Sequence, residues 1–173
     1  MERPKSNEYP PYYHQYIDLI KDEDILTVLK NQKHEMRDLL INFEEESALF
    51  RYAPDKWSVK EVIGHLIDVE RIFAYRALRF ARKDKTPLPG FDQDNYIKYA
   101  NFNSRSLLNI AAEFRAVKES TVSMFESFKD EIYSYEGTAS GFKFTVRAIA
   151  YIIAGHEVHH RHIIREKYMA NSR

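Results

Sequence analysis

Three histidines are the residues of this sequence that are best placed to do chemistry: His65, His156 and His160. His156 and His160 are four residues apart, so on a helix their side chains meet over one turn. At about 100° per residue, both fall inside one apolar stripe, and His65 falls inside a stripe of its own. The stripe residues are Ile149, Ile152, Ile153 and Ile163 for the pair, and Val62, Val69 and Ile72 for His65.

Burying a neutral imidazole is costly unless both of its ring nitrogens find partners, since each unpaired group costs about 1–3 kcal/mol. A shared metal ion satisfies one nitrogen on each of three rings at once. His159 lies at the margin of the stripe and His162 lies outside it, so neither is expected to join. The pattern predicts a metal site on His65, His156 and His160, with open coordination positions for chemistry.

The segment from His156 to His160 also matches H-E-x-x-H, in which the glutamate of a zinc peptidase is the general base. That alternative gives the catalytic role to Glu157. However, only thirteen residues follow His160, which leaves little chain for the downstream third ligand of such enzymes. A peptidase is therefore the weaker interpretation of this motif.

Four long helices are expected to carry these residues, because the five glycines and six prolines fall between periodic stretches. Such sparse turn residues favour a few long helices over many short strands, and the predicted fold class is all-α. A shorter helical turn is expected from Tyr13 to Ile20. The predicted helices run from Asp24 to Asn42, Ser58 to Arg82, Ser104 to Phe128, and Thr145 to Met169.

The helix that carries His65 has a well-marked start. Ser58 and Glu61 fit a capping box, and Trp57 and Val62 occupy the two positions of a hydrophobic staple. These contacts stabilise the helix and also fix the register of His65, two turns further on. We therefore expect them to position the histidine.

The connection from Lys83 to Asn103 is too long for a tight turn between antiparallel neighbours. It predicts a crossover that leaves the second and third helices parallel, and the second and fourth antiparallel. In that arrangement His65 and His160 lie at nearly the same level along the bundle axis. His65 is about 10 Å from the start of its helix at Ser58, and His160 is about 14 Å from the end of its helix near Met169. Long connections of this kind often carry functional residues.

Composition bounds the remaining possibilities. The 173 residues suit one domain, 1–173, and 26 basic against 26 acidic side chains give no net field that would attract nucleic acid or a membrane surface. Without cysteine, thiolate nucleophiles and disulfides are excluded. With no apolar leader and no candidate membrane span, a cytoplasmic location is expected. Twelve tyrosines and eleven phenylalanines provide apolar area for a homodimer interface.

The chain resembles the DinB/YfiT-like superfamily of four-helix metalloproteins. The resemblance rests on KWSVKEVIGHLID at 56–68, LPGFD at 88–92 and GHEVHH at 155–160, and it extends from about Tyr13 to Tyr168. It implies a four-helix bundle in up-down-down-up order with a long crossover between helices 2 and 3. It also implies a divalent metal on His65, His156 and His160, and often a homodimer.

The resemblance implies two kinds of metal-dependent enzyme. Some members couple a low-molecular-weight thiol such as bacillithiol or mycothiol to an electrophile, and others are described as hydrolases. We expect a small-molecule substrate and a divalent metal, foremost zinc, with nickel or iron as alternatives. Because this chain has no cysteine, a thiol transferase must take its sulfur from the substrate. A non-catalytic, metal-stabilised binding module is the third interpretation.

Three further residues are candidates for roles beside such a metal. Asp68 lies at the margin of the His65 stripe, where its carboxylate could orient a histidine ring. Glu157 is a candidate carboxylate behind the metal ligands. Arg76 lies three turns along the face of His65 and could contact an anionic substrate. Asp68 and Glu157 are the predicted catalytic residues.

Overall fold

A computed structural model of the chain describes residues 1–21 and 23–169. Helices account for most of it, joined by short 3₁₀ turns, and one small antiparallel hairpin is added to them. The helices are α1 (His14–Ile17), α2 (Ile25–Leu40), α3 (Val59–Ala81), α4 (Gln93–Ala100), α5 (Leu107–Glu126) and α6 (Val146–Ile163). The strands are β1 (Glu136–Ala139) and β2 (Phe142–Thr145).

Helices α2, α3, α5 and α6 form the bundle, in which α3 and α2 each pack against both α5 and α6. Side-chain pairs give the directions of the helices. Helix α3 runs parallel to α5: Lys60 at the start of α3 contacts Arg105 just before α5, and Glu70 and Arg71, further along α3, pair with Lys118 and Glu113 further along α5. Helices α3 and α6 are antiparallel, since the turn that follows α6 lies beside the start of α3. There the Tyr168 hydroxyl donates to the Trp57 carbonyl at 2.6 Å.

Helix α2 completes this arrangement. It runs antiparallel to α5, with Lys33 paired to Glu119 and Lys30 to Glu126. It runs parallel to α6, where Gln32 contacts Ala154 and Glu35 contacts Arg161. The directions are therefore up, down, down, up, which confirms the predicted fold class and the predicted crossover between parallel helices.

Three of the four predicted helix starts coincide with the capping residues of the structure. Asp24, Ser58 and Thr145 each accept a backbone N–H at the start of α2, α3 and α6, and the capping box of Ser58 and Glu61 is formed. The third predicted helix starts two residues too early, because its capping residue is Ser106. At the other end of the chain, α6 ends at Ile163 and continues as a single π-helical turn, Ile164–Tyr168.

Two elements were not predicted. The crossover, expected as an irregular connection, contains α4, whose start is capped by the Asp92 carboxylate. The hairpin β1–β2 turns at Ser140 and Gly141, both with positive φ, and pairs Glu136 with Thr145. Its strands are four residues long, too short for an alternating pattern to stand out between helices. Leu88 of the crossover pairs with Ala139, so the hairpin also anchors the crossover.

The apolar core is divided into two clusters by a layer of buried polar side chains. One cluster contains Leu29, Phe73, Phe125 and Ile149, and the other contains Met36, Ile63, Phe114 and Ile164. Between them, every bundle helix contributes a buried polar group: Gln32, His65, Glu70, Lys118, His156 and Glu157. Among the described residues, no helix is both long and apolar enough to span a membrane.

Candidate metal centre

The three predicted histidines meet at one point between α3 and α6. The Nε2 atom of His156 lies 3.1 Å from Nε2 of His65 and 3.1 Å from Nε2 of His160. One ligand atom from each ring lies within 4.8 Å of the others. Side chains 91 positions apart in the sequence thus converge as the stripe analysis predicted.

A glycine immediately precedes a histidine on each of the two helices, and each glycine permits a close approach. A Cβ at Gly64 would lie 2.3 Å from the ring of Phe102 in the crossover. A Cβ at Gly155 would lie 2.0 Å from the backbone oxygen of Tyr16 in α1. The two glycines therefore allow the crossover and the N-terminal segment to pack directly beside the histidine cluster.

Aromatic rings fix the histidines from two sides. The indole of Trp57 packs against His65 with ring centroids 4.7 Å apart. The Tyr16 ring meets the edge of His156 at 5.3 Å. Tyr16 was not predicted as part of the site, although Gly155 in the sequence was a signal that another segment comes close there.

Burial makes these imidazoles poor bases. It lowers the pKa of His65 to about 4 and, together with the nearby charges of His65 and His159, the pKa of His160 to about 3. The pKa of His156 is also held well below its usual range by burial, and then by the neighbouring histidines. At neutral pH all three rings are uncharged, so each has one ring nitrogen with a free lone pair.

The donor set fits a divalent metal ion. Nε2 of His156 faces two other Nε2 atoms but has only one proton or one lone pair, so hydrogen bonding cannot satisfy both contacts. A cation at about 2.0–2.1 Å from each nitrogen separates coordinating nitrogens by about 3–3.4 Å, which matches the two 3.1 Å distances from His156 Nε2. Among the described residues no cysteine or carboxylate belongs to this group, so the protein supplies three ligands.

The other two histidines of α6 lie apart from this point. His159 is partly buried against Tyr16, at 5.3 Å between ring centroids, and His162 is exposed. This agrees with their positions at the margin of the apolar stripe and outside it.

A cavity of about 220 Å³ reaches the cluster from the surface through His160. Its walls come from the start of α3, the end of α6 and the crossover, and they include Trp57, Tyr168 and Asp94. A larger groove of about 520 Å³ between α2 and α5 contains none of the three histidines. The smaller cavity is therefore the one that gives a ligand access to the metal centre.

Glu157, one of the two predicted catalytic residues, is buried on another side of α6. Burial raises its pKa to about 7, an effect that Arg161 and Lys118 partly oppose. Neither of its carboxylate oxygens has a hydrogen-bond partner among the described residues, and Arg161 Nε is 3.8 Å away. Glu157 does not line the cavity at His160. This placement gives no support to the peptidase interpretation, which needs the carboxylate beside the reacting water.

Glu157 belongs to the buried polar layer, most of which was not predicted. Lys118 is fully buried and donates to Glu70 at 2.6 Å and to Gln32 at 3.0 Å. The Gln32 amide in turn donates to the Ala154 carbonyl at 2.8 Å. Arg161 pairs with Glu35 at the edge of the layer. Charged residues within helices are usually solvated, so a single sequence offered no signal that these were buried.

Asp68, the other predicted catalytic residue, is half-buried and forms no hydrogen bond with the three rings. Burial raises its pKa, and the charges around it are Arg71, Glu113 and Arg105. Its role as an orienter of a histidine stays a prediction without a supporting contact.

Arg76 lies between the crossover and the hairpin, and its suggested contact with an anionic substrate stays a prediction. Its buried guanidinium donates to the Pro89 carbonyl at 2.9 Å and to Ser140 Oγ at 3.0 Å. These contacts connect the crossover to the hairpin, about 16 Å along α3 from His65.

Comparisons with known proteins agree with this architecture. A model of the DinB superfamily matches residues 29–164. The solved structure of YfiT from Bacillus subtilis, described as a probable metal-dependent hydrolase with an unusual four-helix bundle topology, superposes with a TM-score of 0.75. The two chains are 13% identical, with 85% of this chain and 89% of YfiT covered, so the likeness shows the fold. No match was found among curated proteins. The family model spans most of the sequence, and this chain belongs to the DinB superfamily.

Proposed function

We propose that this protein is a metal-dependent enzyme that activates a low-molecular-weight thiol for transfer to an electrophile. The observation that carries the proposal is the position of His160, which belongs to the histidine cluster and also lines the 220 Å³ cavity. A substrate in that cavity therefore reaches the open side of a centre with three protein ligands. A divalent ion bound there supplies a Lewis acid that lowers the pKa of a coordinated thiol.

The residues of the chain prepare the site for such a substrate. His65, His156 and His160 stay neutral at physiological pH because burial depresses each pKa, so they leave the full positive charge of a bound cation in place. Trp57 and Tyr16 keep the rings of His65 and His156 in position.

The placement of Glu157 favours a thiol over water as the nucleophile. Hydrolysis is assisted by a general base whose pKa is close to the working pH. Glu157 has such a pKa, about 7, but does not line the cavity. A thiol needs less help, because its ordinary pKa of about 8.5 lies much closer to neutrality than that of water. In the transfer, the sulfur bonds to the electrophilic carbon, the leaving group departs with the bonding electrons, and the thiol proton passes to solvent.

Hydrolysis is the second candidate, supported by the likeness in fold to YfiT and its description as a probable metal-dependent hydrolase. The same three histidines and the same cavity would serve it. The two candidates differ in whether a thiol or water enters beside His160.

The test is an assay of untagged, zinc-loaded protein with small thiols and monochlorobimane, together with a panel of ester and amide substrates. We expect metal-dependent thioether formation, with loss of at least about 100-fold in His65→Ala. The matched control His162→Ala, which removes an exposed imidazole from α6, should keep the activity. Ester or amide cleavage without thioether formation would instead establish the hydrolase. Metal binding with neither reaction would favour the binding-module interpretation.

A further inference from the structure

The cavity at the metal centre has a second set of features that the thiol chemistry does not use. Three of its lining side chains are the aromatic rings of Tyr52, Trp57 and Tyr168. Two more lining residues are acidic, Asp55 and Asp94. Aromatic faces and carboxylates together are the chemistry that recognises organic cations.

The two aspartates are available to a ligand. Both are exposed, and neither side chain forms an ion pair or hydrogen bond with the described residues. The Asp94 contact within α4 is made by its backbone N–H, which donates to Asp92 at 3.0 Å. They come from different segments, the loop before α3 and the first turn of α4, and both line the cavity because the crossover packs there.

The aromatic rings are held in place before any ligand arrives. The rings of Tyr52 and Tyr168 meet edge to face at 5.1 Å, and the Tyr168 hydroxyl donates to the Trp57 carbonyl. The Trp57 indole packs on His65. Tyr168 is almost fully buried and supports the other two, so a ligand contacts the half-buried rings of Tyr52 and Trp57, at little cost in side-chain ordering.

Lys56 is the single cation among the lining residues, so with neutral His160 the lining has one excess negative charge. A bound metal ion places positive charge at the inner end, by His160. The field of the cavity thus favours a molecule with an anionic sulfur inside and a cationic group at the opening. Its volume, below the range of about 300–1,000 Å³ for drug-sized ligands, suits a small metabolite.

We infer that the substrate carries an ammonium group, which binds between the aromatic rings and the carboxylates of Asp55 and Asp94. This rests on the proposed function only in taking the inner end of the substrate to be a thiol. Recognition of the positive charge is tested at Asp55 and Asp94, which do not belong to the histidine cluster, so the two ideas can fail separately.

The experiment uses Trp57 as the reporter, because it is the only tryptophan in the chain and lines the cavity. Zinc-loaded protein is titrated with two matched pairs of ligands, and the Trp57 emission is followed. Choline and 3,3-dimethylbutan-1-ol have the same shape and differ in one positive charge. Thiocholine and 3,3-dimethylbutane-1-thiol repeat that contrast with a sulfur, and the quaternary nitrogen cannot coordinate the metal.

We expect each charged ligand to bind about tenfold more tightly than its neutral partner, as a cation–π and carboxylate site would give. The double variant Asp55→Asn, Asp94→Asn should reduce this preference to about twofold or less. The control Glu44→Gln removes an exposed carboxylate outside the cavity and should leave the preference unchanged.

Equal affinity for the charged and neutral partners, or a preference that survives the double variant, would overturn the inference and leave the thiol proposal intact. A preference seen equally in both pairs, with no gain from the sulfur, would keep the cation site and count against the thiol. If neither pair changes the Trp57 emission, isothermal calorimetry decides, and absence of heat from choline would overturn the cation site.

Discussion

Two polar regions share the middle of the bundle, and they satisfy their buried groups in different ways. In the histidine cluster the rings are neutral, and three ring nitrogens face one another with no protein group between them. In the polar layer beside it the groups are charged and pair with each other, as Lys118 does with Glu70 and Arg161 with Glu35. The first region is complete only with an external cation, whereas the second is largely complete without one.

The largest expected effect is on metal binding. Replacing His65 with alanine removes one of three ligands, and we expect the affinity for zinc to fall at least 100-fold. The polar layer keeps its own partners, so the helical circular dichroism should persist. Competition with a chromophoric chelator measures the affinity. His162→Ala is the control, and equal zinc affinity in His65→Ala would show that the cluster is not the metal site.

The next largest effect is expected in the polar layer. Lys118→Met leaves the Glu70 carboxylate buried without its cation, which we expect to lower the free energy of unfolding by about 3–5 kcal/mol. Urea denaturation measures this. Adding Glu70→Leu removes the stranded charge and should restore most of the stability.

An exposed ion pair on the same helix tests whether the effect at Lys118 comes from its burial or from ion pairing alone. Arg115 and Glu119 pair at 2.9 Å on the exposed side of α5, and Arg115→Ala should cost less than about 1 kcal/mol. A similar loss at both positions would contradict the view that Lys118 matters because it is buried.

The same contrast decided what the sequence could predict. The histidine cluster was predictable because histidines are unusual in an apolar stripe. In addition, the four-residue spacing of His156 and His160 brings their side chains together on a helix. The order of the helices followed from the length of the crossover. The capping box of Ser58 and Glu61 gave the start of the second predicted helix, since its contacts lie within three residues.

The polar layer and the hairpin depended on contacts that a single sequence does not show. Glu157 lies about 100° from His156 and was expected off the centre of the buried stripe, yet α6 is buried around most of its circumference because α1, α2, α3 and β2 all pack on it. Lys118 resembles any solvated lysine until Glu70 and Gln32 are placed opposite. The position of Asp94 at the cavity likewise required the fold of the crossover.

The pH dependence of the metal-free protein should separate the two regions further. The pKa of His65 is about 4 in the folded chain and about 6.5 when unfolded, so between these values the unfolded state binds more protons. Stability therefore falls as pH drops from about 6.5 towards 4, by about 3 kcal/mol for this group. Urea denaturation of the metal-free protein across this range, compared with His65→Gln, isolates the effect. An unchanged slope in the variant would contradict the neutral, buried state of this ring.

A smaller pH effect than that of His65 is expected for Glu157, a member of the polar layer whose carboxylate has no hydrogen bond among the described residues. Its pKa, raised by burial to about 7, means that the folded state binds more protons than the unfolded state between about pH 4.5 and 7. Stability from this group is therefore lost as pH rises through that range, the opposite direction to His65. Glu157→Gln removes the titrating group, so we expect the variant to be more stable than wild type by about 1–2 kcal/mol at pH 8 and nearly equal to it at pH 5. The expected gain is limited to this size because relaxation and internal water reduce the cost of a buried charge. Both proteins are unfolded in urea in the same metal state. A variant that is less stable at pH 8 would show instead that the ionised carboxylate is held by Arg161 and Lys118, and that the polar layer is as fully paired as its other members suggest.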